Sequence, residues 1–210
     1  MSASAEPRIP PLGFFDDPSS LICGIGNVGR QDDGLGWAFI DRIEAHDRSP
    51  HAELRRAYQL HLEYADLISG FARVLFVDAT KDGSVSSFAL TRPEPKLDFS
   101  FTSHAISVPS ILATAQQCFG YVPEVYLLAI RGYEWELQTG LTEAAEQNLN
   151  DSVEYLTARR DVDIRKSRQH VEKGGYEPRS FMRSGASLGR WFAICGTCRH
   201  IGLVPRQLTF

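Results

Sequence analysis

Short apolar runs alternate along the chain with segments of helical periodicity, a pattern typical of α/β proteins. Apolar runs bounded by glycine, proline or charge predict strands at 21–26, 52–60, 73–78, 84–91 and 125–130. Apolar residues recurring every three or four positions predict helices at 33–46, 62–69, 105–120 and 140–158. This order predicts a three-layer α/β fold, with a mostly parallel, five-stranded twisted sheet flanked by helices.

Composition divides the chain into three segments. Residues 1–19 are polar and contain four prolines, which predicts an irregular N-terminal arm. Residues 20–158 contain every predicted helix and strand and form the α/β domain. From residue 159 the sequence is charged, contains glycine and lacks apolar periodicity, so we expect 159–210 to be a C-terminal extension, as a linker or mobile tail.

A glycine-rich block follows the first predicted strand, and two adjacent carboxylates, Asp32 and Asp33, lie within it. One aspartate here is explained by capping of the next helix. A second exceeds that need, and it lies at the carboxyl end of a strand, where open α/β sheets bind their ligands. The block therefore predicts a ligand site.

The same block matches a dinucleotide-binding motif literally, at Gly24, Gly26 and Gly29. The two carboxylates that follow would repel a pyrophosphate and attract a cation. The predicted strand 52–60 also lacks the terminal acidic residue that would hold a ribose. We therefore favour a cation site over a dinucleotide site.

Two later residues extend this cation site. Asp78 ends an apolar run typical of a buried parallel strand, which places it at the same sheet edge as Asp33. His104 precedes a predicted helix, where a lone histidine is more often structural. It is a candidate metal ligand only together with the two carboxylates. One histidine with two carboxylates suits nickel, zinc or a related ion.

The overall charge and cysteine usage exclude several other classes. A net charge of −4 gives no support for nucleic-acid binding. No apolar run is long enough to span a membrane, and the N-terminus does not resemble a signal peptide. The four cysteines form no disulfide framework, so we expect a reduced, cytoplasmic protein. Cys195, Cys198 and His200 are a weak metal motif, because structural zinc needs four ligands, usually in two pairs.

The segments 24–27 (GIGN) and 32–36 (DDGLG) resemble the glycine-rich block of the hydrogenase maturation endopeptidases, which process the large subunit of nickel–iron hydrogenases. The resemblance continues in the same order through 77–79 (VDA), 103–104 (SH), 123–130 and 140–142 (GLT), and covers about residues 21–158. It implies a compact, phosphorylase/hydrolase-like α/β fold. It also implies removal of a C-terminal extension from the large-subunit precursor after nickel has been loaded.

The resemblance assigns metal contact to Asp33, Asp78 and His104. The nickel would belong to the substrate, so we expect no tightly bound metal in the free enzyme. Asp33 or Asp78 would act as general base toward water. Within the glycine-rich block we expect substrate contacts from Gly26, Asn27, Asp32 and Gly34. The expected partner is the hydrogenase precursor, acted on by a monomer.

Two other functions are compatible with these residues. A non-catalytic, nickel-dependent maturation chaperone would use the same triad without shortening the precursor. A small-molecule hydrolase or phosphorylase on a similar α/β fold would need an anion pocket, for which only Arg30, Ser103 and Arg131 are available.

Overall fold

The computed structural model describes residues 10–97 and 106–173, with side chains as far as residue 158. The strands are β1 (Ser20–Ile25), β2 (Glu53–Ala57), β3 (Arg73–Thr80), β4 (Phe88–Thr91) and β5 (Glu124–Arg131). The helices are α1 (Leu35–Ala45), α2 (Glu63–Ser69), α3 (Val108–Phe119) and α4 (Glu143–Lys173). Two 3₁₀ turns, Leu12–Phe15 and Gln31–Gly34, precede β1 and α1.

The five strands form one sheet in the order β2-β1-β3-β5-β4. The first four strands of this order run parallel, and β4 pairs antiparallel with β5 at the edge. The predicted mostly parallel, five-stranded sheet is therefore confirmed. We refer to the edge at which the four parallel strands end as the carboxyl edge.

Helices cover both faces of the sheet because the strand side chains alternate between them. Ile22, Leu75 and Leu128 belong to an apolar cluster that includes residues of α1 and α4. Leu21 and Val74 belong to a second cluster that includes residues of α2 and α3. Both sets are fully buried. This is the three-layer arrangement that the sequence predicts.

The structure corrects the predicted boundary of the N-terminal arm. Leu12 and Phe15 are only 1% and 0% exposed, and both lie in the core beside α1 and α4. Phe14 packs edge-on against Tyr126, and the Arg73 guanidinium lies 4.7 Å from its ring centre. The prolines of this segment predict irregular structure, but its apolar side chains bury enough surface to order it. The domain therefore begins before residue 19.

The predicted end of the domain at residue 158 is also wrong, because α4 continues without a break to Lys173. Loss of apolar periodicity suggested a linker from residue 159. The sequence there is nonetheless rich in arginine, lysine, glutamate and glutamine, which have high helix propensity. Cys195, Cys198 and His200, which formed the weak metal motif, lie outside the described residues.

The remaining differences concern element ends. Helix α1 begins at Leu35 rather than at residue 33, because the preceding four residues form a 3₁₀ turn. Helix α3 begins at Val108, where the hydroxyl of Ser107 accepts a hydrogen bond from the Ser110 N–H and caps the helix. In the described parts of the chain no helix is both long and apolar enough to cross a membrane.

Candidate functional site

The carboxyl ends of β1 and β3 lie side by side at the point where the chain connections diverge. From β1 the chain passes through α1 to β2 on one side, whereas β3 leads to β4 and β5 on the other. Open α/β sheets bind their ligands at such a switch point, because the diverging loops leave a crevice there. Asp33 follows β1, and Asp78 lies near the end of β3.

Two glycines allow the helix that follows Asp33 to approach both strands closely. Gly26 has a φ of +136°, and a Cβ there would lie 1.8 Å from the carbonyl oxygen of Asp33. A Cβ on Gly36 would lie 2.2 Å from the Ile25 carbonyl oxygen and 2.5 Å from that of Val77. Any side chain at either position would separate α1 from the strand ends. The glycines therefore fix the position of the turn that carries Asp33.

Asp33 and Asp78 are close enough for the charge on one to affect the other. Burial raises the pKa of Asp78 to about 7; the Ala79 N–H, which donates to its carboxylate at 2.8 Å, opposes this rise, and the negative charge of Asp33 adds to it. Burial also raises the pKa of Asp33, against the stabilising effects of Arg30, the Asn27 backbone N–H and Lys81. The carboxyl group of Asp78 therefore titrates near neutral pH.

The third predicted ligand, His104, lies outside the described residues. Within the described ranges, no group of three histidine, cysteine, aspartate or glutamate side chains is arranged to hold a metal ion. The chain re-enters the described structure at Ile106, whose N–H donates to the Leu60 carbonyl just beyond β2. Participation of His104 stays a prediction.

Asp32 has a structural role, in contrast to the substrate contact expected for it. Its side chain is 0% exposed. The carboxylate accepts hydrogen bonds from the Tyr133 and Glu134 N–H groups at 2.8 and 3.1 Å, and from the N–H and hydroxyl of Thr142 at 2.7 and 2.9 Å. Burial opposes its ionisation, but these four bonds outweigh burial and lower the pKa of Asp32. Asp32 therefore ties the loop after β5 to the turn after β1.

Gln31 strengthens the same connection, and sequence reasoning missed it. The residue has a φ of +46° and is 7% exposed. Its side-chain amide donates to Glu134 and accepts from the Glu136 N–H, both at 2.9 Å. Its own N–H donates to the Gln138 carbonyl at 2.7 Å. A polar residue in a turn gives no local indication of contacts with a loop 100 residues away.

The other predicted substrate-contacting residues form the backbone of the turn. The Asn27 N–H donates to the Asp33 carbonyl at 3.1 Å, and its side-chain oxygen accepts from the Gly29 N–H at 2.9 Å. Gly26 and Gly34 are buried. These contacts shape the turn, and substrate binding by Gly26, Asn27 and Gly34 stays a prediction.

Arg131 and Ser103 give no support to the anion pocket that a small-molecule enzyme would need, whereas Arg30 is exposed near Asp33. The Arg131 guanidinium donates to the Lys81 carbonyl and lies over the Tyr133 ring, 5.6 Å from its centre. Ser103, the candidate hydroxyl, lies outside the described residues.

No protein-family model matches the sequence, and no curated protein matches it either. Solved structures do match. The [NiFe] hydrogenase maturation protease HycI from Thermococcus kodakarensis KOD1 is 21% identical, with a TM-score of 0.53 over 65% of this chain and 88% of that chain. The hydrogenase maturating endopeptidase HybD from E. coli is 19% identical, with a TM-score of 0.51 over 70% and 93%. An endopeptidase from Escherichia coli is 18% identical, with a TM-score of 0.52 over 66% and 90%.

The chain has the fold of the hydrogenase maturation proteases. At these sequence identities the likeness concerns the fold, and function has to be argued from the site itself. In this hydrogenase maturation protease fold, the two candidate carboxylates lie at the carboxyl edge, at the switch point between β1 and β3.

Proposed function

We propose that the protein is an endopeptidase that removes the C-terminal extension of a nickel-loaded NiFe-hydrogenase large-subunit precursor. The observation that carries this proposal is the convergence of Asp33 and Asp78 at the switch point of the sheet. The effect of Asp33 on the pKa of Asp78 supports a cation site here, and proteins with this fold include hydrogenase maturation proteases.

Nickel carried by the precursor would be recognised by the carboxylates of Asp33 and Asp78, together with His104. Carboxylate and imidazole groups are suitable ligands for such an ion. A precursor without nickel would leave Asp78 protonated or the two carboxylates repelling each other, so it would gain nothing from this site. Cleavage would therefore depend on prior nickel loading.

Hydrolysis would use one of the two carboxylates as general base. The substrate's nickel would polarise the scissile carbonyl, while the base takes a proton from the attacking water. The same carboxyl group would then return that proton to the leaving amine. The released products are the mature subunit and the free C-terminal peptide.

The surroundings of the carboxyl edge favour a protein substrate. Several large apolar side chains on the loops of this edge are exposed to solvent and are available to contact a protein substrate. They are Val28 after β1, Tyr58 and Leu62 after β2, and Tyr133 and Leu137 after β5.

Mass spectrometry of a large-subunit precursor from the same organism tests the proposal. The precursor is incubated with the protein, with and without prior nickel loading. Loss of a C-terminal peptide only from the loaded precursor is the expected result. An unchanged mass in the loaded, intact precursor would contradict a protease and favour a binding role.

A further inference from the structure

Two cationic side chains from different loops meet on one tryptophan beside the candidate site. The Arg30 guanidinium donates to the Trp135 carbonyl at 3.4 Å. The Lys81 ammonium lies 4.4 Å from the centre of the Trp135 ring, within the range of a cation–π contact. We call these three residues the cationic bracket. It joins the loops that follow β1, β3 and β5.

Both positive charges of the bracket are available to a ligand. Arg30 and Lys81 are exposed, and among the described residues neither forms an ion pair with a carboxylate. Glu134, on the same loop as Trp135, is instead bonded to Gln31. An exposed pair of cations whose charge is only partly offset by the nearby Asp33 is a suitable site for an anion.

The bracket is also held in place next to Asp33. The hydrogen bonds of Asp32 to Tyr133 and Glu134 fix the loop on which Trp135 lies. Both cations favour the ionised form of Asp33, which agrees with their closeness to it. A charged group fixed before the ligand arrives loses less side-chain entropy on binding.

We propose that the cationic bracket binds a carboxylate of the precursor's C-terminal extension and so anchors the peptide beside Asp33. The guanidinium of Arg30 presents a planar fork that suits a carboxylate, and Lys81 adds a second positive charge. The carboxylate is either the chain terminus or an acidic side chain within the extension. This inference rests on the proposed protease function.

Variants that remove one charge test the cationic bracket, because loss of an anchor should affect KM more than kcat. Arg30→Gln and Lys81→Gln are each expected to raise KM for the nickel-loaded precursor about threefold to tenfold, and to change kcat by a smaller factor than KM. Lys81→Arg keeps the charge and should retain the wild-type KM. Arg48→Gln, which removes an exposed charge beyond the far end of α1, is the matched control.

Salt dependence gives a second readout. The wild-type KM should rise with sodium chloride, because exposed charges are screened, and the double variant Arg30→Gln/Lys81→Gln should show a flatter response. A loss in kcat at unchanged KM would place the two cations in the chemical step and overturn the anchoring role.

Altered precursors identify the carboxylate. One precursor carries a C-terminal carboxamide, and another has every acidic residue of the extension changed to its amide. The change that raises the wild-type KM to that of the double variant has removed the anchored carboxylate. If neither precursor does so, the bracket does not bind a carboxylate of the extension.

Binding of the nickel-free precursor separates this inference from the proposed function. If the wild type binds it more tightly than the double variant but never shortens the loaded precursor, the protease proposal fails and the bracket stands. If precursor is cleaved while KM and binding are equal in the wild type and the double variant, the protease stands and the bracket fails. Equal or absent binding by both proteins, without cleavage, overturns both.

Discussion

At the scale of single residues, the adjacent aspartates Asp32 and Asp33 have different environments and opposite pKa shifts. Asp32 points into the protein, where four hydrogen bonds stabilise its charge and lower its pKa. Asp33 lies half-buried at the carboxyl edge, where burial raises its pKa. Hydrogen bonding to the charged form explains the first shift, and desolvation explains the second. The carboxylate of Asp32 therefore stabilises the loop, whereas that of Asp33 is the one that the proposed function uses.

Replacement of Asp32 by asparagine tests whether the hydrogen bonds of its carboxylate stabilise the folded protein. The amide group would face N–H donors, so we expect the free energy of unfolding at pH 7 to fall by about 2–4 kcal/mol. Because the folded-state pKa is lowered, the contribution is present above the unfolded value near 4 and disappears as pH falls through the folded value. Denaturant unfolding of Asp32→Asn at several pH values measures it.

The exposed Asp66 of α2 provides the control for this substitution. Asp66→Asn should change the free energy of unfolding by less than about 0.5 kcal/mol. A similarly small effect for Asp32→Asn would show that its hydrogen bonds contribute little to stability.

In contrast to Asp32, ionised Asp78 should destabilise the folded protein. Its folded-state pKa of about 7 is raised above the ordinary value of 3.8. The folded protein holds this proton more tightly, so wild-type stability is lost as pH rises from about 4 to about 7. Asp78→Asn removes that loss, and we expect it to be about 2–4 kcal/mol more stable than the wild type at pH 8 and nearly equal at pH 4.

Thermal or denaturant unfolding at pH 4 and pH 8 measures this difference, and cleavage of the nickel-loaded precursor is followed in parallel. A stabilised but inactive Asp78→Asn variant would identify a residue kept for function at the expense of stability. A variant that is less stable at pH 8 would instead assign Asp78 a structural role.

At the scale of helices and strands, the sequence predicted elements whose pattern is local. The unbroken apolar run before Asp78 predicted β3, and the periodicity of residues 106–115 predicted α3. The 3₁₀ turn before α1 and the contacts of Gln31 were not predicted, because they depend on a loop about 100 residues away. The N-terminal turn was missed for a similar reason, since Phe15 is ordered by distant core residues.

The same distinction applies to the candidate site. The carboxylates of Asp33 and Asp78 could be placed at one sheet edge because Asp33 follows a recognisable strand and Asp78 lies near the end of another. Their coupling, the burial of Asp32 and the cations around Trp135 could not be predicted, because each requires side chains from separate loops.

Close packing of α1 on the strand ends gives a prediction for one glycine. A Cβ on Gly36 would overlap two backbone carbonyl oxygens, which cannot move without shifting the strands. We expect Gly36→Ala to lower the free energy of unfolding by about 2–4 kcal/mol. Because α1 would move away from β1 and β3, cleavage should fall by more than about tenfold even where the variant stays folded.

Gly70→Ala is the matched control, measured by the same unfolding and cleavage assays. Gly70 has a φ of −82°, and an added Cβ would make an ordinary contact at 3.5 Å with the Leu67 carbonyl oxygen. That variant should have wild-type activity and a stability within about 1 kcal/mol of the wild type. Comparable losses in both variants would contradict a special role for the α1 contact.

At the scale of the whole molecule, the topology of the sheet brings the two candidate carboxylates together. Asp33 and Asp78 are 45 residues apart in the sequence. The order β2-β1-β3-β5-β4 places their strands side by side and sends the following chain in opposite directions. Burial and mutual repulsion at this edge then produce a carboxyl group that titrates near pH 7.

This origin of the shifted pKa predicts the pH dependence of cleavage. Below pH 7 the carboxyl group of Asp78 is protonated and has to lose its proton before it can contact the substrate's cation. We therefore expect kcat/KM for the nickel-loaded precursor to fall on the acid side, by up to about tenfold per pH unit below an apparent pKa near 7. Burial is the main cause of this shift, and the charge of Asp33 adds to it.

Rates of extension loss between pH 5.5 and pH 8.5 give the profile, with circular dichroism to confirm that the protein stays folded. The Arg48→Gln variant should have the same profile, because Arg48 lies outside the candidate site. A rate that stays constant down to pH 5.5 would show that cleavage does not require ionised Asp78. In that case the sheet edge would still shift the pKa of this carboxyl group, but its charge would not recognise the nickel.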